Sequence, residues 1–205
     1  MSVNIIVAGV GGQGSILASH ILAEAAILAE SHSPGGKKAN VRVGETFGAA
    51  MRGGAVASHV RIGEAVYGPL VGRGQADLVI ALEPLEGLRI GVEYIRQGGI
   101  AVLNDQRIPP VDVKVGAVRY PDIGEIRAAL EQLGASVRIV AGNRLAERAG
   151  TAKALNIVML GAAFQSGLLP FGEEILLEAI KRRVPGRFLD ANVEAFKLGR
   201  ESENA

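Results

Sequence analysis

The residues most able to do chemistry form a glycine-rich loop near the start of the chain. The sequence Gly9-Val-Gly-Gly-Gln-Gly14 follows a β-branched apolar run and precedes a helical pattern that starts at Ser15. A strand, a glycine turn and a helix N-terminus together predict an anion site, because unpaired backbone N–H groups and the helix dipole point at one spot. Gly9, Gly11, Gly12 and Gly14 have no Cβ, so a phosphate or a partner's backbone can approach closely. We therefore expect a phosphate-cradling loop.

A dinucleotide fold is the usual meaning of G-x-G-x-x-G, but it also requires an acidic residue about 20 residues further on to hold the ribose. In this chain, that distance from Gly14 leads to Pro34, and the nearest acid after the second predicted strand is Glu45. The doubled glycine Gly11-Gly12 is also unusual for an NAD site. An independent oxidoreductase that binds NAD or FAD remains an alternative.

The stretch from Glu45 to Gly54 is the second candidate for a binding loop. A glycine-flanked Arg52 could hold a phosphate or carboxylate bidentately, although an exposed loop arginine is the simpler interpretation. Two glycine-rich loops then follow the first two strands, and we expect them at the sheet edge where α/β proteins bind ligands. Glu83 stands at the corresponding end of a later strand, where capping of a helix that starts at Pro84 explains it.

Composition excludes several kinds of function. The 205 residues carry 22 Lys and Arg against 21 Asp and Glu, a balance that argues against nucleic-acid binding. The absence of cysteine excludes disulfides, thiolate catalysis and an iron–sulfur cluster held by this chain. We expect no signal peptide, no membrane span and a cytoplasmic location. His20 has only Glu24 as a carboxylate at helical spacing, which favours a structural role, and no nucleophile–base pair or metal motif is found.

The sequence predicts one α/β domain over residues 1–205. The expected fold has three layers, α/β/α, around a mixed, mostly parallel sheet with a Rossmann-like start, one β-hairpin and a helical C-terminal third. The predicted strands, read from β-branched runs, are 2–8, 39–43, 55–62, 65–67, 77–82, 100–103, 111–118 and 137–141. The hairpin is expected between 55–62 and 65–67, and 111–118 is expected to be an edge strand. The predicted helices are 15–30, 85–97, 123–133, 143–149, 156–167, 172–183 and 191–198.

Taken together, seven ordered segments resemble the gamma subunit or gamma domain of the 2-oxoacid:ferredoxin oxidoreductases. Within that family, a separate chain of this length is most similar to the small subunit of the indolepyruvate enzymes. The resemblance extends from about residue 4 to 200, and the segments that carry it are Gly9–Gly14, Glu45–Gly54, Ser58–Ile62, Ala76–Pro84, Ile100–Asn104 with its preceding glycine pair, Tyr120-Pro121 and Asn156–Gly161.

The resemblance implies oxidative decarboxylation of a 2-oxoacid to an acyl-CoA, with electrons passed to ferredoxin. It implies thiamine diphosphate, magnesium, coenzyme A and [4Fe-4S] clusters, with the thiamine and cluster ligands on a larger partner subunit and no cofactor bound by this chain alone. It makes the loops of this chain a wall on the coenzyme A side, with no catalytic residue. A structural scaffold subunit remains a third possibility. The cofactor-facing residues implied are Gly9, Gly11, Gly12, Gln13, Gly14, Thr46, Met51 and Arg52.

Overall fold

The structure, a computed structural model, describes residues 2–31, 39–48 and 53–204. Six strands and eight helices are found in these ranges, together with two short 3₁₀ turns at 152–154 and 186–188. The strands are β1 (Ser2–Val10), β2 (Asn40–Phe47), β3 (Ala55–Gly63), β4 (Ala76–Ala81), β5 (Ile95–Asn104) and β6 (Ser136–Val140). The helices are α1 (Ser15–Ser31), α2 (Pro84–Tyr94), α3 (Val111–Lys114), α4 (Ile123–Gln132), α5 (Gly142–Arg148), α6 (Leu155–Phe164), α7 (Glu173–Arg183) and α8 (Leu189–Arg200).

The strands form one mixed sheet in the order β2-β3-β1-β4-β5-β6. Parallel pairing joins β1 to β4, β4 to β5, and β5 to β6, whereas β3 is antiparallel to both β1 and β2. The mixed, mostly parallel sheet is therefore confirmed. After β6, the described chain is helical apart from its connections, as the sequence also predicted.

Apolar residues on both faces of β1 create the three layers. Ile5 and Val7 pack into a cluster with α1, α6 and α8, while Ile6, between them, packs into a second cluster with α4. Alternate residues of a strand point to opposite faces, so a strand that is buried on both faces must be apolar throughout. Helices therefore cover both faces of the sheet, and the predicted α/β/α architecture is confirmed.

The partner strand in the β-hairpin differs from the prediction. The hairpin joins β2 to β3, with Val43 opposite Val60 and Phe47 opposite Val56. Residues 65–67 form no strand, because β3 already pairs with β1 on one edge and with β2 on the other. The connection after β3 instead folds over β2, where a Cβ on Gly44 would lie 2.9 Å from the Cβ of Pro69.

The predicted edge strand over 111–118 is also wrong. Val111–Lys114 forms the short helix α3, and the amide of Val115 donates to the carbonyl of Val111 at 2.9 Å. Two causes act here. Pro109 and Pro110 precede the helix, where proline suits the chain that enters a first turn. The edge of β5 that faces away from β4 is occupied by β6, so residues 111–118 have no place beside β5.

Among the described residues, none of the helices combines the length and apolar composition that crossing a membrane requires. The same residues contain no group of three or more His, Asp or Glu side chains placed to hold a metal ion.

Candidate functional site

The two glycine-rich loops meet at the edge of the sheet where β1 and β2 end. Val10 pairs with Ala55, and Phe47 pairs with Val56, so the end of β1, the end of β2 and the start of β3 lie side by side. The amide of Gly11 donates to the carbonyl of Gly54 at 2.9 Å, and the amide of Gly53 donates to the carbonyl of Gly11 at 3.4 Å. The predicted proximity of the two loops is therefore confirmed.

The side chain of Gln13 holds the first loop in shape. Its Oε1 accepts from the amide of Val10 at 2.7 Å, and its Nε2 donates to the carbonyl of Leu82 at 2.9 Å. A Cβ on Gly9 would lie 2.8 Å from this Oε1, so glycine at position 9 leaves room for the Gln13 amide. Gly9 and Gln13 thus have a structural role, and any contact with a ligand stays a prediction.

Gly12 and Gly14 both adopt the left-handed region, with φ of 108° and 87°. Around Gly12 there is open space within 4 Å of an added Cβ, and this residue is exposed. Around Gly14 an added Cβ would lie 2.8 Å from Nδ2 of Asn156, which donates to the Gly14 carbonyl at 3.2 Å. Gly12 is therefore the point where another molecule can approach, and Gly14 is anchored to α6.

A cavity of about 290 Å³ lies over this loop. Its polar side consists of the loop glycines and Ser15, at the N-terminus of α1. Its apolar side consists of Ile16, Phe47 and Val56, and the first two are 37% and 47% exposed. The first turn of α1 contains no acidic residue, so the positive end of the helix dipole is not neutralised there. The cavity suits a ligand with an anionic part and an apolar part.

Thr46 lies on the opposite face of the sheet. It pairs with Ala57, one position from the Phe47–Val56 pair, and successive residues of a strand alternate between faces. There it lines a smaller cavity of about 170 Å³ with Glu86 and Ile90 of α2. Thr46 does not line the glycine-loop cavity, although Phe47 and Val56 border both cavities. Met51 and Arg52 lie outside the described residues.

Glu86 is the titratable group of this smaller cavity. Burial raises the pKa of its carboxyl, and the guanidinium of Arg89, whose Nη1 lies 2.6 Å from Oε1, opposes that rise. Sequence reasoning gave no role to Glu86, since an acid in the first turn of a helix is a common and unremarked feature.

Glu83 closes the N-terminus of α2, as predicted. It is 1% exposed, and its Oε2 accepts from the amide of Glu86 at 2.9 Å. Its Oε1 accepts from the amide of Ile108 at 3.1 Å and from the hydroxyl of Tyr120. Burial, together with this bond to Glu83, raises the pKa of the Tyr120 hydroxyl far above its usual range. Glu83 thereby ties the connection after β5 to the sheet edge, which spacing along the chain did not indicate.

The described histidines have structural surroundings. His20 has its Nε2 3.6 Å from Oε1 of Glu45, across from α1 to β2, a partner that helical spacing alone could not reveal. His59 is buried; its Nδ1 accepts from the amide of Val71 at 3.2 Å, and burial lowers its pKa. Neither is paired with a nucleophile among the hydrogen bonds of the described residues.

A glycine loop at the carboxyl edge of a mixed sheet, with helices on both faces, is typical of ligand-binding domains of the α/β class. The family model for pyruvate ferredoxin/flavodoxin oxidoreductase matches residues 4–202. The chain therefore belongs to this family, and it is a subunit of a 2-oxoacid ferredoxin oxidoreductase.

Relatives of the chain agree with that assignment. The indolepyruvate oxidoreductase subunit IorB of Thermococcus kodakarensis is 39% identical over 197 residues, covering 96% of this chain and 93% of the relative. The crystal structure of the gamma subunit of a keto/oxoacid ferredoxin oxidoreductase from Geobacter sulfurreducens matches with a TM-score of 0.68 and 26% identity, covering 97% and 96% of the two chains.

A longer protein contains the same fold. The 2-oxoglutarate:ferredoxin oxidoreductase of Magnetococcus marinus, solved with 2-oxoglutarate, coenzyme A and succinyl-CoA bound, matches with a TM-score of 0.66 and 22% identity. The match covers all of this chain and 32% of that chain.

Proposed function

We propose that this chain is the small subunit of a cytoplasmic complex that oxidatively decarboxylates a 2-oxoacid, transfers the acyl group to coenzyme A and passes electrons to ferredoxin. Indolepyruvate is the substrate that its relatives suggest. In this proposal the chain provides a wall of the active site on the coenzyme A side. Thiamine diphosphate, magnesium and [4Fe-4S] clusters belong to a larger partner subunit and supply the decarboxylation and electron transfer.

The observation that carries the proposal is the contact between the two glycine loops under the 290 Å³ cavity. Coenzyme A has phosphates at one end and an uncharged pantetheine arm at the other. The exposed backbone at Gly12 and the first turn of α1, which contains no acidic residue, suit the phosphates. The apolar side chains of Ile16 and Phe47 suit the arm. The same fold occurs in a relative that was solved with coenzyme A bound, which supports this ligand.

The chemistry of the chain itself supports a role next to a cofactor-bearing partner. It contains no cysteine that could hold a cluster, and its described residues contain no metal-binding group. What it offers is backbone N–H groups, a helix dipole and an apolar rim. These groups bind and orient a ligand and exclude water, and they leave bond making and breaking to other groups.

Co-expression with the product of a neighbouring gene for a candidate large subunit tests the proposal. Gel filtration should show one complex, and that complex should reduce a dye in the presence of both a 2-oxoacid and coenzyme A. Two separately eluting species with no gain in dye reduction would overturn the proposal.

A pair of glycine variants tests whether the glycine loop forms the coenzyme A side of the active site. Gly12→Ala should raise the KM for coenzyme A several-fold, because a methyl group enters the open approach to the loop. Gly74→Ala is the matched control: its φ of 64° is also positive, and an added Cβ also meets nothing within 4 Å. Equal values of KM in the two variants would show that Gly12 does not face coenzyme A.

A scaffold role is the second candidate, favoured by the internal contacts of Gly9, Gln13 and Gly14. It predicts that Gly12→Ala changes assembly of the complex and leaves the KM for coenzyme A unaltered. The NAD or FAD alternative is tested by isothermal titration of the isolated chain, since micromolar binding of NAD would favour it over both subunit roles.

A further inference from the structure

The outer edge of β2 is a free edge of the described sheet. In the strand order, β2 comes first and has only β3 beside it. Its pairing with β3 is continuous from Asn40 to Phe47, and the strand contains no proline and no lysine. Bulges, prolines and lysines are the features that usually prevent an exposed edge from pairing with another strand. The edge of β2 lacks them, so its backbone is open to a further strand.

Alternate residues of β2 direct their backbone N–H and C=O groups to this free edge. The amide of Gly48 donates to the carbonyl of Ala55 at 2.8 Å, so Gly48 points towards β3. Backbone groups alternate between the two sides of a strand in an antiparallel pair. The residues of β2 that point away from β3 are therefore Val41, Val43, Glu45 and Phe47. One of the outward carbonyls, that of Val41, accepts from Nη1 of Arg42 at 3.0 Å, and this arginine is exposed and free to turn towards solvent.

One side of α1 presents exposed apolar residues above the same edge. The Nε2 of His20 lies 3.6 Å from Oε1 of Glu45, which places this side of the helix over β2. Ile16 and Ile27 are 37% and 53% exposed. They share the side of His20, because spacings of four and seven residues are close to one and two helical turns. An apolar strip on α1 thus follows the free edge.

The edge of β2 is complementary to itself about Gly44. In an antiparallel two-fold pairing centred there, Val43 lies opposite Glu45 of the second copy. Val41 likewise lies opposite Phe47 of the second copy. Every outward residue then faces another outward residue, and such pairs exchange both of their hydrogen bonds. The central glycines form a pair without hydrogen bonds, in which Cα atoms approach to about 4.5 Å and the missing side chains leave room. A pairing centred on Val43 would instead place Phe47 beyond the end of the other β2.

The same two-fold axis aligns the two copies of α1. The helix runs antiparallel to β2, and His20 lies beside Glu45. A strand rises about 3.4 Å per residue and a helix about 1.5 Å, so the point of α1 above Gly44 lies about two residues after His20. That point is close to midway between Ile16 and Ile27. Each of these exposed isoleucines therefore faces the other one on the second copy.

We propose that a second copy of this chain binds to the free edge of β2, so that the two sheets join into one across a two-fold axis at Gly44. Ile16 of each copy packs on Ile27 of the other. Phe47 of each copy packs on Val41 of the other. Ile16 and Phe47 also bound the glycine-loop cavity, which thereby gains a wall from the second copy. The interface does not depend on which ligand that cavity binds.

Analytical ultracentrifugation of the full chain tests this interface, and the wild type should sediment as a dimer at micromolar concentration. Val43→Pro should raise the dissociation constant of the dimer about a hundredfold, because each copy loses an N–H group that donates across the axis. The ladder between β2 and β3 does not use that N–H group, and circular dichroism checks that the variant is folded. Val43→Ala is the matched control. It shortens the side chain but keeps the N–H group, so the constant should change by less than about tenfold.

Introduced thiols give a second test, since the sequence contains no cysteine. A mixture of Val41→Cys and Phe47→Cys chains should form a disulfide-linked dimer on mild oxidation, because paired Cα atoms lie about 5.5 Å apart. Each variant alone should remain unlinked, since the two copies of either position are about 20 Å apart along the strands. Val41→Cys mixed with Val92→Cys, at an exposed position of α2, is the control and should remain unlinked.

A wild-type chain that sediments as a monomer would overturn the proposal. So would a dimer that Val43→Pro leaves intact, or cross-linking through position 92 that equals cross-linking through position 47. A monomeric chain whose Val43→Pro variant no longer binds the larger subunit would also overturn it, because the larger subunit would then be the molecule that occupies the edge of β2.

Discussion

The N-termini of α1 and α2 lie at the same edge of the sheet, each after one of two adjacent parallel strands, β1 and β4. At α2, Glu83 caps the helix, Pro84 removes one backbone N–H group, and Ile108 and Tyr120 bond to the same carboxylate. At α1, the first turn has no acidic residue, and a cavity of about 290 Å³ lies over it. The N-terminus of α2, the closed end, is thus covered by the chain's own side chains, and the N-terminus of α1, the open end, is accessible.

This difference shows where the chain can accept another molecule. Both ends have the same backbone polarity, because unsatisfied N–H groups and a positive partial charge occur at the start of any α-helix. At α2 the Glu83 carboxylate accepts from the amide of Glu86, the Tyr120 hydroxyl accepts from the amide of Leu85, and Pro84 has no N–H to offer a ligand. Glycine at positions 11, 12 and 14 keeps α1 accessible, and the internal bonds of Gln13 keep the loop in shape. The candidate site is therefore distinguished by an accessible helix N-terminus, and helix polarity alone does not distinguish it.

Removing the cap of the closed end should have the largest effect. Glu83→Ala should lower the free energy of unfolding by about 3 kcal/mol, since a helix cap is lost and two further buried donors lose their acceptor. Urea denaturation measures this. Asp122→Ala is the matched control, because Asp122 caps α4 from an exposed position, and about 1 kcal/mol is expected there. Equal losses of unfolding free energy in the two variants would contradict the role of Glu83 as a buried acceptor for Glu86, Ile108 and Tyr120.

Adding a methyl group to the open end should have a smaller effect. Gly14→Ala should cost about 2 kcal/mol, from a left-handed backbone and from the short approach to Asn156. Gly12→Ala should cost about 1 kcal/mol, since it has the backbone strain without a clash. In the double variant with Asn156→Ala, part of the Gly14→Ala loss should disappear in urea denaturation. Strict additivity of the two changes would show that Asn156 does not restrict position 14.

Local sequence signals predicted most of this sheet edge. The β-branched run before Gly9 predicted β1, the glycine spacing predicted the open loop, and Glu83 before Pro84 predicted the closed end. Each depends on residues that are close together in the chain, where period and capping rules apply.

Features that depend on distant residues could not be predicted in this way. The predicted hairpin partner of β3, residues 65–67, was wrong because the sequence does not show that β1 and β2 already occupy both edges of β3. Alternation places Thr46 and Phe47 on opposite faces, but only the fold shows that Phe47 borders the glycine-loop cavity and Thr46 the smaller one beside it. The bond between Asn156 and Gly14 joins residues 142 positions apart, and no local pattern registers such a contact.

Placing a carboxylate at the open end should make it resemble the closed end. Gly12→Asp should raise the KM for coenzyme A in the complex about tenfold relative to Gly12→Asn, because a negative charge then faces the phosphates. Asn and Asp have the same shape and tolerate positive φ similarly, so the comparison isolates charge. The difference should shrink in high salt. A KM that is equal in the two variants would mean that no phosphate lies near Gly12.

The smallest expected effect is the pH dependence of stability that Glu86, in the first turn of α2, contributes at the closed end. Burial raises the pKa of Glu86 above 4.5, so the folded state binds more protons than the unfolded state just above that pH. Stability contributed by this group is therefore lost as pH rises through that window. Glu86→Gln should flatten the slope of the free energy of unfolding against pH from about 4.5 upward, measured by urea denaturation at several pH values.

Glu125 provides a control of opposite sign. Its bonds to Arg119 lower its pKa from 4.5 to about 2, so its contribution is present above 4.5 and is lost as pH falls towards 2. Glu125→Gln should accordingly change the slope only on the acidic side of 4.5. If both variants changed the slope in the same pH range, burial of Glu86 beside the capped end of α2 could not be the cause. The closed end would then be as solvated as the surface of α4, and the contrast with the open end of α1 would rest on shape alone.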